Sequence, residues 1–136
     1  MSAGLADCVV LADRHHGLSE GIRGLLETRF RVVVMVADEA SLVASAARLE
    51  PAVAVVELSL SPGDHLGWLR RLRERCPGLK VIVLSAHGEP SVLRAVQRLG
   101  ADGFVAKAAI GSELLDAVEV VLAGRHYPPE IGSPEP

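Results

Sequence analysis

Five short apolar runs, separated by segments with helical periodicity, constrain the fold of this chain most strongly. The runs are Cys8–Ala12, Phe30–Ala37, Ala52–Leu58, Lys80–Ser85 and Gly103–Ala106. The third run is apolar on both faces, without polar alternation, which is typical of a strand buried inside a parallel sheet. Strict alternation of strands and helices with short loops therefore predicts an α/β domain, in which helices cover both faces of one parallel sheet.

The segments between the runs carry apolar residues at helical spacing. Such residues recur within Leu18–Leu26 and Leu66–Cys76, and Pro90 suits the first turn of a fourth helix. A last helix is predicted over Ser112–Ala123, because it begins with a serine and an acidic first turn and is followed by a glycine. A second helix, about Ala40–Leu49, has the shallowest apolar stripe of the five.

Length and composition limit the class of protein. The 136 residues suffice for one domain, predicted over 1–127, with a Pro-rich tail or linker over 128–136. A net charge of −3 provides no basic surface for nucleic acid. Cys8 and Cys76 are too few for a disulfide framework and favour a reducing cytosol. No apolar stretch approaches the ~20 residues of a membrane span, and no signal peptide begins the chain. We expect a cytoplasmic domain without a membrane partner.

Polar residues that can carry chemistry follow four of the predicted strands. Asp13 and Arg14 follow the first strand, Glu57 the third, Ser85 the fourth and Lys107 the fifth. The carboxyl ends of parallel strands share one edge of a sheet, where open α/β folds place their ligands. We therefore expect these five side chains to converge.

Several segments together resemble the receiver domain of bacterial two-component response regulators of the NarL/FixJ type. They are Glu20–Glu27, Lys80–His87 and Gly100–Lys107, and the likeness extends from Cys8 to Tyr127. The resemblance implies a flavodoxin-like (βα)5 three-layer sandwich with strand order 2-1-3-4-5. It also implies the regulatory half of a transcription factor, which would reach DNA only through a helix-turn-helix domain absent from this chain.

The resemblance also implies roles for the residues at the strand ends. In that family an acidic pair after strand one holds magnesium, and an aspartate after strand three accepts a phosphoryl group. Asp13 matches the first acid of the pair. Ser85 and Lys107 match the residues that contact the phosphoryl group, and Phe104 occupies the aromatic switch position.

Two positions depart from the family pattern. Arg14 stands at the second acid of the pair, and Glu57 stands at the phospho-acceptor. An arginine removes an oxygen ligand from magnesium and adds a repelling charge. A glutamate side chain is one methylene longer than an aspartate side chain, so its carboxylate lies away from the place that an aspartate would occupy. A displacement of that size is not compatible with in-line transfer of a phosphoryl group. These changes predict weak or absent magnesium binding and no phosphorylation by the usual route, so the domain is not expected to be an enzyme.

Three interpretations of Glu57 stay open at this stage. Glu57 imitates the phosphorylated state by reaching toward Ser85 and Lys107, or Arg14 replaces the metal charge and pairs with Glu57 and Asp13. Otherwise the site is a vestigial, self-neutralised charge cluster. The mimic would be partial, with one charge and two oxygens against roughly two charges and three oxygens in a phosphate.

Other functions compete with this hypothesis. His15, His65 and His87 could form a transition-metal site at the same edge, although ordinary loop histidines are the preferred interpretation. The domain could also bind a small-molecule ligand there, act as a stand-alone interaction module, or accept phosphate on Asp64. A homodimer is expected, through the last helix with the first or fourth.

Overall fold

The computed structural model describes residues 5–61, 63, 66–86 and 90–129 as one sheet covered by helices. The strands are β1 Leu5–Ala12, β2 Val32–Val36, β3 Pro51–Glu57, β4 Val81–Ser85 and β5 Gly103–Ala106. The helices are α1 His16–Glu27, α2 Glu39–Leu49, α3 Gly67–Arg75, α4 Pro90–Arg98 and α5 Ile110–Leu122, with a 3₁₀ turn at Lys107–Ala109. All paired strands are parallel, in the order β2-β1-β3-β4-β5. The predicted fold class and strand order are confirmed.

Two cores explain why the strands are apolar on both faces. On one face, Val10 and Val56 pack with α2, α3 and α4 residues that include the fully buried Trp68. On the other face, Val9 and Val55 pack with α1 and α5. Successive strand residues point to opposite faces, so a strand covered on both sides is apolar throughout.

The bounds of some elements differ from those predicted. The second strand begins at Val32, two residues after its predicted start at Phe30. Phe30 still belongs to the turn that follows α1, because its backbone amide donates a hydrogen bond to Leu26 O at 2.9 Å. The last helix begins at Ile110, ahead of Ser112, because the 3₁₀ turn after β5 runs directly into it. Ser112 is thus a residue within the helix and not its first residue, and its hydroxyl donates a hydrogen bond to Ala109 O at 3.3 Å.

The shallow-striped second helix is present because its ends are well specified. Asp38 is its N-cap, and its carboxylate accepts a hydrogen bond from Ser41 N at 2.8 Å. This bond also holds the pKa of Asp38 below its usual range. At the other end Glu50 adopts the left-handed conformation, with φ of 47°, and ends the helix before β3.

The segment after α5 runs along the free edge of β5. Tyr127 N donates to Asp102 O at 3.1 Å, and Phe104 N donates to Tyr127 O at 2.8 Å. The Tyr127 hydroxyl also donates to Glu113 Oε1 at 2.9 Å. The backbone thus continues the sheet beyond β5 up to Tyr127, and the division of the chain into 1–127 and 128–136 stays a prediction.

Candidate functional site

Glu57 is the last residue of β3 and is buried at the carboxyl edge of the sheet, 4% exposed. Among the residues that the structure describes, one hydrogen bond and one ion pair are formed by its carboxylate. The Ser59 hydroxyl donates to Oε1 at 2.6 Å, and Lys107 Nζ lies 3.5 Å from Oε2. The contact with Lys107 follows from sheet topology, because β4 alone lies between β3 and β5.

Asp13 directly follows β1 and is also buried, 2% exposed. Its amide continues the sheet by donating to Val36 O at 3.0 Å. Its Oδ1 accepts a hydrogen bond from His15 N at 2.8 Å and lies 3.8 Å from His15 Nδ1. Its Oδ2 is buried and has no hydrogen-bond partner among the residues that the structure describes.

Arg14 does not replace the metal charge in the way that one interpretation proposed. The residue is exposed, and within the described part of the chain it forms no ion pair with Asp13 or Glu57. An exposed guanidinium keeps its hydration, whereas pairing with a buried carboxylate would require desolvation of a long, flexible side chain. The interpretation in which Arg14 pairs with these acids is wrong, and Lys107 is the cation beside Glu57.

Ser85 and Phe104 lie on neighbouring strands near Glu57. Ser85 is the last residue of β4, is 1% exposed, and pairs in register with Ala106, the residue before Lys107. Phe104 is buried in the core that α3 and α4 cover, with 6% exposure. The structure therefore brings the predicted site residues to one edge, with Arg14 directed to solvent and Phe104 beneath the site.

Three residues of the sequence-based hypotheses lie outside the described residues, namely Asp64, His65 and His87. Asp64 as a substitute phospho-acceptor and the three-histidine metal site thus stay predictions. Of the three histidines, His15 alone is described, and it lies beside Asp13.

Sequence reasoning missed Ser59 as a partner of Glu57. The residue follows the strand end by two positions, and its short hydroxyl can reach back to the carboxylate. The indole of Trp68 also lies near the site, since its Nε1 donates to Leu58 O at 3.0 Å. The signal for Ser59 was present, since serine side chains commonly bond to groups two residues away.

A second ion-pair network lies beside the site, between α2 and α3. Arg71 donates from Nε to Glu39 Oε2 at 2.6 Å and from a terminal nitrogen to Oε1 at 2.8 Å. The Ser61 hydroxyl donates to the same carboxylate at 3.1 Å. The Arg71 hydrogen bonds hold the pKa of Glu39 below its usual range, although partial burial opposes this. The network holds α3 against α2 close to the loop that follows Glu57.

The parallel five-stranded fold and the acid, hydroxyl and lysine at its carboxyl edge define the class of a signalling receiver domain. Residues 9–119 match the response regulator receiver domain family, and the chain belongs to that family. None of the described helices is long and apolar enough to cross a membrane.

The relatives are transcriptional regulators. DegU of Brevibacillus brevis is 31% identical over 121 residues, which are 88% of this chain and 51% of DegU. RcsB of Escherichia coli K12 is 30% identical over 128 residues, covering 90% of this chain and 59% of RcsB. The chain thus spans little more than half the length of either regulator.

Solved structures of response regulators share the fold of this chain. A LuxR-family two-component response regulator from Aurantimonas sp. SI85-9A1 superposes with a TM-score of 0.81 at 26% identity, over 90% of this chain and 89% of that chain. A structure of two RcsB dimers bound to two parallel DNAs superposes with a TM-score of 0.80 at 28% identity, over 93% of this chain and 65% of that chain. Both the predicted family and its LuxR/NarL/FixJ type are confirmed.

The residues at the edge fit magnesium poorly. Magnesium takes oxygen ligands in near-octahedral order, commonly from one or two carboxylates and water. Here Arg14, which is exposed, stands where the family resemblance predicts the second acid, and Lys107 Nζ already lies 3.5 Å from Glu57 Oε2. The donors that do gather are Asp13, Glu57 and the imidazole of His15, a mixed nitrogen and oxygen set.

Proposed function

We propose that this chain is a receiver that works without aspartyl phosphorylation, as the regulatory part of a cytoplasmic transcription factor and not as an enzyme. One observation carries the proposal. At the phospho-acceptor position stands a buried glutamate, Glu57, whose carboxylate lies 3.5 Å from Lys107 Nζ and accepts a hydrogen bond from Ser59. The anion that a phosphoryl group would deliver to Lys107 is therefore supplied by the chain itself.

The charge balance of the edge supports this proposal. Two unit charges 3.5 Å apart attract by about 5 kcal/mol at an effective dielectric constant of 20, before desolvation is subtracted. This attraction is present in the unmodified protein and does not depend on a kinase. It favours one arrangement of the 3₁₀ turn that begins at Lys107, so the receiver is held in one conformation.

The site also argues against transfer of a phosphoryl group to Glu57. The added methylene moves the carboxylate away from the place an aspartate would occupy, and Ser59 and Lys107 already bind both of its oxygens. In-line transfer requires the reacting atoms to be aligned within fractions of an ångström. Arg14, in place of an acidic metal ligand, further lowers the affinity for the magnesium that the usual reaction needs.

The test is to add a small phosphoryl donor, and separately beryllofluoride, with magnesium while Trp68 fluorescence is recorded. Trp68 is the sole tryptophan, is fully buried, and bonds to the carbonyl of Leu58 beside Glu57. We expect no saturable, magnesium-dependent response. The double variant Glu57→Asp with Arg14→Asp should gain such a response, and Arg14→Asp alone serves as its control. A saturable response of the wild-type protein would exclude the proposal.

The output of the domain is proposed to be a homodimer. The support comes from RcsB, which has been solved as dimers on DNA, and from the helices α1, α4 and α5, which are available on the outside of the sheet. If Glu57 mimics the activated state, the dimerisation constant should weaken in Glu57→Gln, which keeps the side-chain shape but removes the charge. Equal dimerisation of both proteins, measured by analytical ultracentrifugation, would favour a vestigial charge cluster.

A groove beside Glu57 favours a ligand-sensing receiver as the second candidate. The groove has a volume of about 520 Å³, and its lining includes Leu58, Ser59, Leu66 and Val92. This volume lies in the range of small-molecule sites, and Ser59 connects the groove to the Glu57 carboxylate. Native mass spectrometry of protein purified from its own cells should show a retained small molecule, which Ala95→Trp would displace. Absence of any such molecule would remove this candidate.

A further inference from the structure

The two edges of the sheet differ in how the chain covers them. At the β5 edge the segment that ends at Tyr127 continues the sheet, since Phe104 N donates to Tyr127 O at 2.8 Å and Tyr127 N donates to Asp102 O at 3.1 Å. Strand β2 forms the opposite edge and, among the residues that the structure describes, pairs with β1 alone. The outer side of β2 is therefore a row of backbone donors and acceptors that another strand can bind.

The side chains of β2 offer little protection to this open edge. Its five residues, Val32–Val36, are all valine or methionine, and none of them is buried. Val32, at 46% exposure, is the one exposed large apolar side chain in the part of the chain that the structure describes. Lysine, proline and bulges commonly keep an edge strand from pairing, whereas β2 has neither residue and stays in continuous register with β1. The composition of β2 thus favours pairing with a further strand.

The hydrogen bonds to β1 decide which backbone groups of β2 face outward. Asp13 N donates to Val36 O at 3.0 Å, so the carbonyl of Val36 faces β1. Along a strand, successive residues present their N–H and C=O groups to opposite sides. The backbone groups of Val33 and Met35 therefore face away from β1, toward the side on which the structure describes no further strand.

Charges of opposite sign stand at the two ends of β2. Arg31 directly precedes the strand and Asp38 follows it by two residues, and both are exposed. In an antiparallel pair of identical strands the beginning of one strand lies beside the end of the other, so Arg31 of each copy approaches Asp38 of the second copy. An in-register parallel pair would instead place arginine beside arginine and aspartate beside aspartate. Opposite charges across a strand pair stabilise it and like charges destabilise it, so the charge pattern fits an antiparallel second copy.

We propose that the outer edge of β2 binds the same edge of a second copy of this chain, in antiparallel orientation about a two-fold axis at Val34. This register sets Val33 opposite Met35 of the second copy, and two residues that face each other in this way exchange both N–H···O bonds. The outward backbone groups of both residues are then satisfied by one another. Because the contact uses the same patch on both copies, it closes as a dimer and does not extend into a fibre.

This inference goes beyond the proposed function. The edge contact is formed by the backbone of β2, and it involves neither the Glu57 carboxylate nor the helices proposed for the output dimer. A pair of short strands covers less than the roughly 800 Å² per partner of a standard interface, so we expect a weak, reversible dimer with a Kd on the order of 100 μM. Such a dimer is populated at high local concentration and dissociates on dilution.

The first measurement is sedimentation equilibrium of the protein over a range of concentrations that brackets this Kd. Val32→Lys places a charge beside the apolar seam on both copies and should raise the Kd at least about tenfold. Because Val32 is already exposed, the variant should keep the unfolding temperature of the wild-type protein, so a weaker dimer cannot be ascribed to misfolding.

A reversal of charge tests the antiparallel orientation. Arg31→Glu sets a carboxylate beside Asp38 of the second copy and should weaken the dimer about tenfold, since the two-fold axis produces the repulsion twice. Adding Asp38→Asn, which retains an N-cap residue for α2, should recover part of this loss. The matched control Arg70→Glu makes the same change of net charge at an exposed position of α3 and should dimerise as the wild-type protein does.

Amide hydrogen exchange assigns the surface in the unmodified protein. The amides of Val33 and Met35 should exchange more slowly as the protein concentration rises, whereas the amide of Val34, which faces β1, should not respond. A dimer through the helices would leave Val33 and Met35 unaffected. Three results would overturn the edge dimer, namely a protein that stays monomeric at several times the expected Kd, equal Kd values for wild type and Val32→Lys, and exchange at Val33 and Met35 that is independent of concentration.

Discussion

The backbone amide of Phe104 donates a hydrogen bond to the carbonyl oxygen of Tyr127, with 2.8 Å between the nitrogen and the oxygen. Phe104 stands where the family resemblance predicts an aromatic switch residue, and Tyr127 lies at the end of the predicted receiver domain. The bond thus joins the strand beneath the candidate site to the segment that leads away from it. A shift of β5 on switching would be transmitted to this segment directly.

The side chain of Tyr127 is expected to stabilise this arrangement. Tyr127→Phe removes the bond from the hydroxyl to Glu113 Oε1 and should lower the free energy of unfolding by about 1 kcal/mol. The measurement is urea denaturation followed by circular dichroism. Replacement of the neighbouring exposed His126 by Ala should change stability by less than about 0.5 kcal/mol. Equal effects of the two substitutions would show that the hydroxyl bond contributes nothing.

The same residue predicts a loss of stability in alkali. Burial, and then the bond to Glu113, raise the pKa of Tyr127 above its ordinary value. The folded state therefore holds this proton more tightly than the unfolded state. The stabilisation is complete below the unfolded pKa of about 10 and is lost as the pH rises through the folded pKa. The difference in stability between wild type and Tyr127→Phe should shrink there.

The pair of Glu57 and Lys107 is predicted to show coupling in a double-mutant cycle. Lys107→Met leaves the buried carboxylate without its cation and should destabilise the domain by about 2 kcal/mol, less than for a fully buried pair because Lys107 is 23% exposed. Glu57→Gln added to Lys107→Met should recover about 1 kcal/mol, which chemical denaturation can measure. Strictly additive effects would mean that the two charges do not interact.

The ion pair of Arg71 and Glu39 is predicted to make stability depend on acid. Glu39→Gln should lower the free energy of unfolding at neutral pH by about 1 kcal/mol, the upper end for partly exposed pairs, because the contact is bidentate. Arg71 lowers the pKa of Glu39, so this contribution is present above the usual glutamate pKa of about 4.3 and is lost as the pH falls through the folded pKa. Wild type and variant should converge in acid.

The control for that prediction is Glu74→Gln on α3, where the carboxylate is exposed and forms no ion pair with any residue that the structure describes. Its stability should follow the wild-type curve at every pH. A parallel loss in both variants would assign the effect to the net charge of the helix and not to the bond with Arg71.

Gly103 is predicted to be needed for packing of β5. A Cβ atom there would lie 3.0 Å from Ile82 Cγ1 and 3.2 Å from Val121 Cγ2, closer than ordinary contact. Gly103→Ala should therefore destabilise by about 1–3 kcal/mol, as overpacking does. Gly24→Ala in α1 is the matched substitution, because nothing lies within 4 Å of its Cβ. It should stabilise the domain by up to about 1 kcal/mol through helix propensity. Thermal unfolding should therefore show a lower unfolding temperature for Gly103→Ala and a higher one for Gly24→Ala.

Apolar periodicity was sufficient to predict the order and type of the elements, because burial on both faces requires strands such as Val53–Val56 to be apolar throughout. Periodicity was not sufficient to predict where α5 begins. The 3₁₀ turn that precedes it depends on the direction in which the backbone leaves β5. Periodicity also missed the cap at Asp38, whose effect depends on local backbone geometry. Helix ends are set by a few hydrogen bonds, and periodicity does not report them.

For the site, the sequence by itself determined the residue types at the strand ends, including a glutamate and an arginine where the family resemblance predicts the acceptor and the second acid. The parallel order of the strands then required these residues to share one edge. Only the tertiary structure decided the partners. Lys107 lies beside Glu57 because a single strand separates β3 from β5, Arg14 stays in water because pairing would require its desolvation, and His15 joins Asp13 through a turn of the backbone. Distances of a few ångströms decide electrostatic partners, and residue spacing along the chain does not encode them.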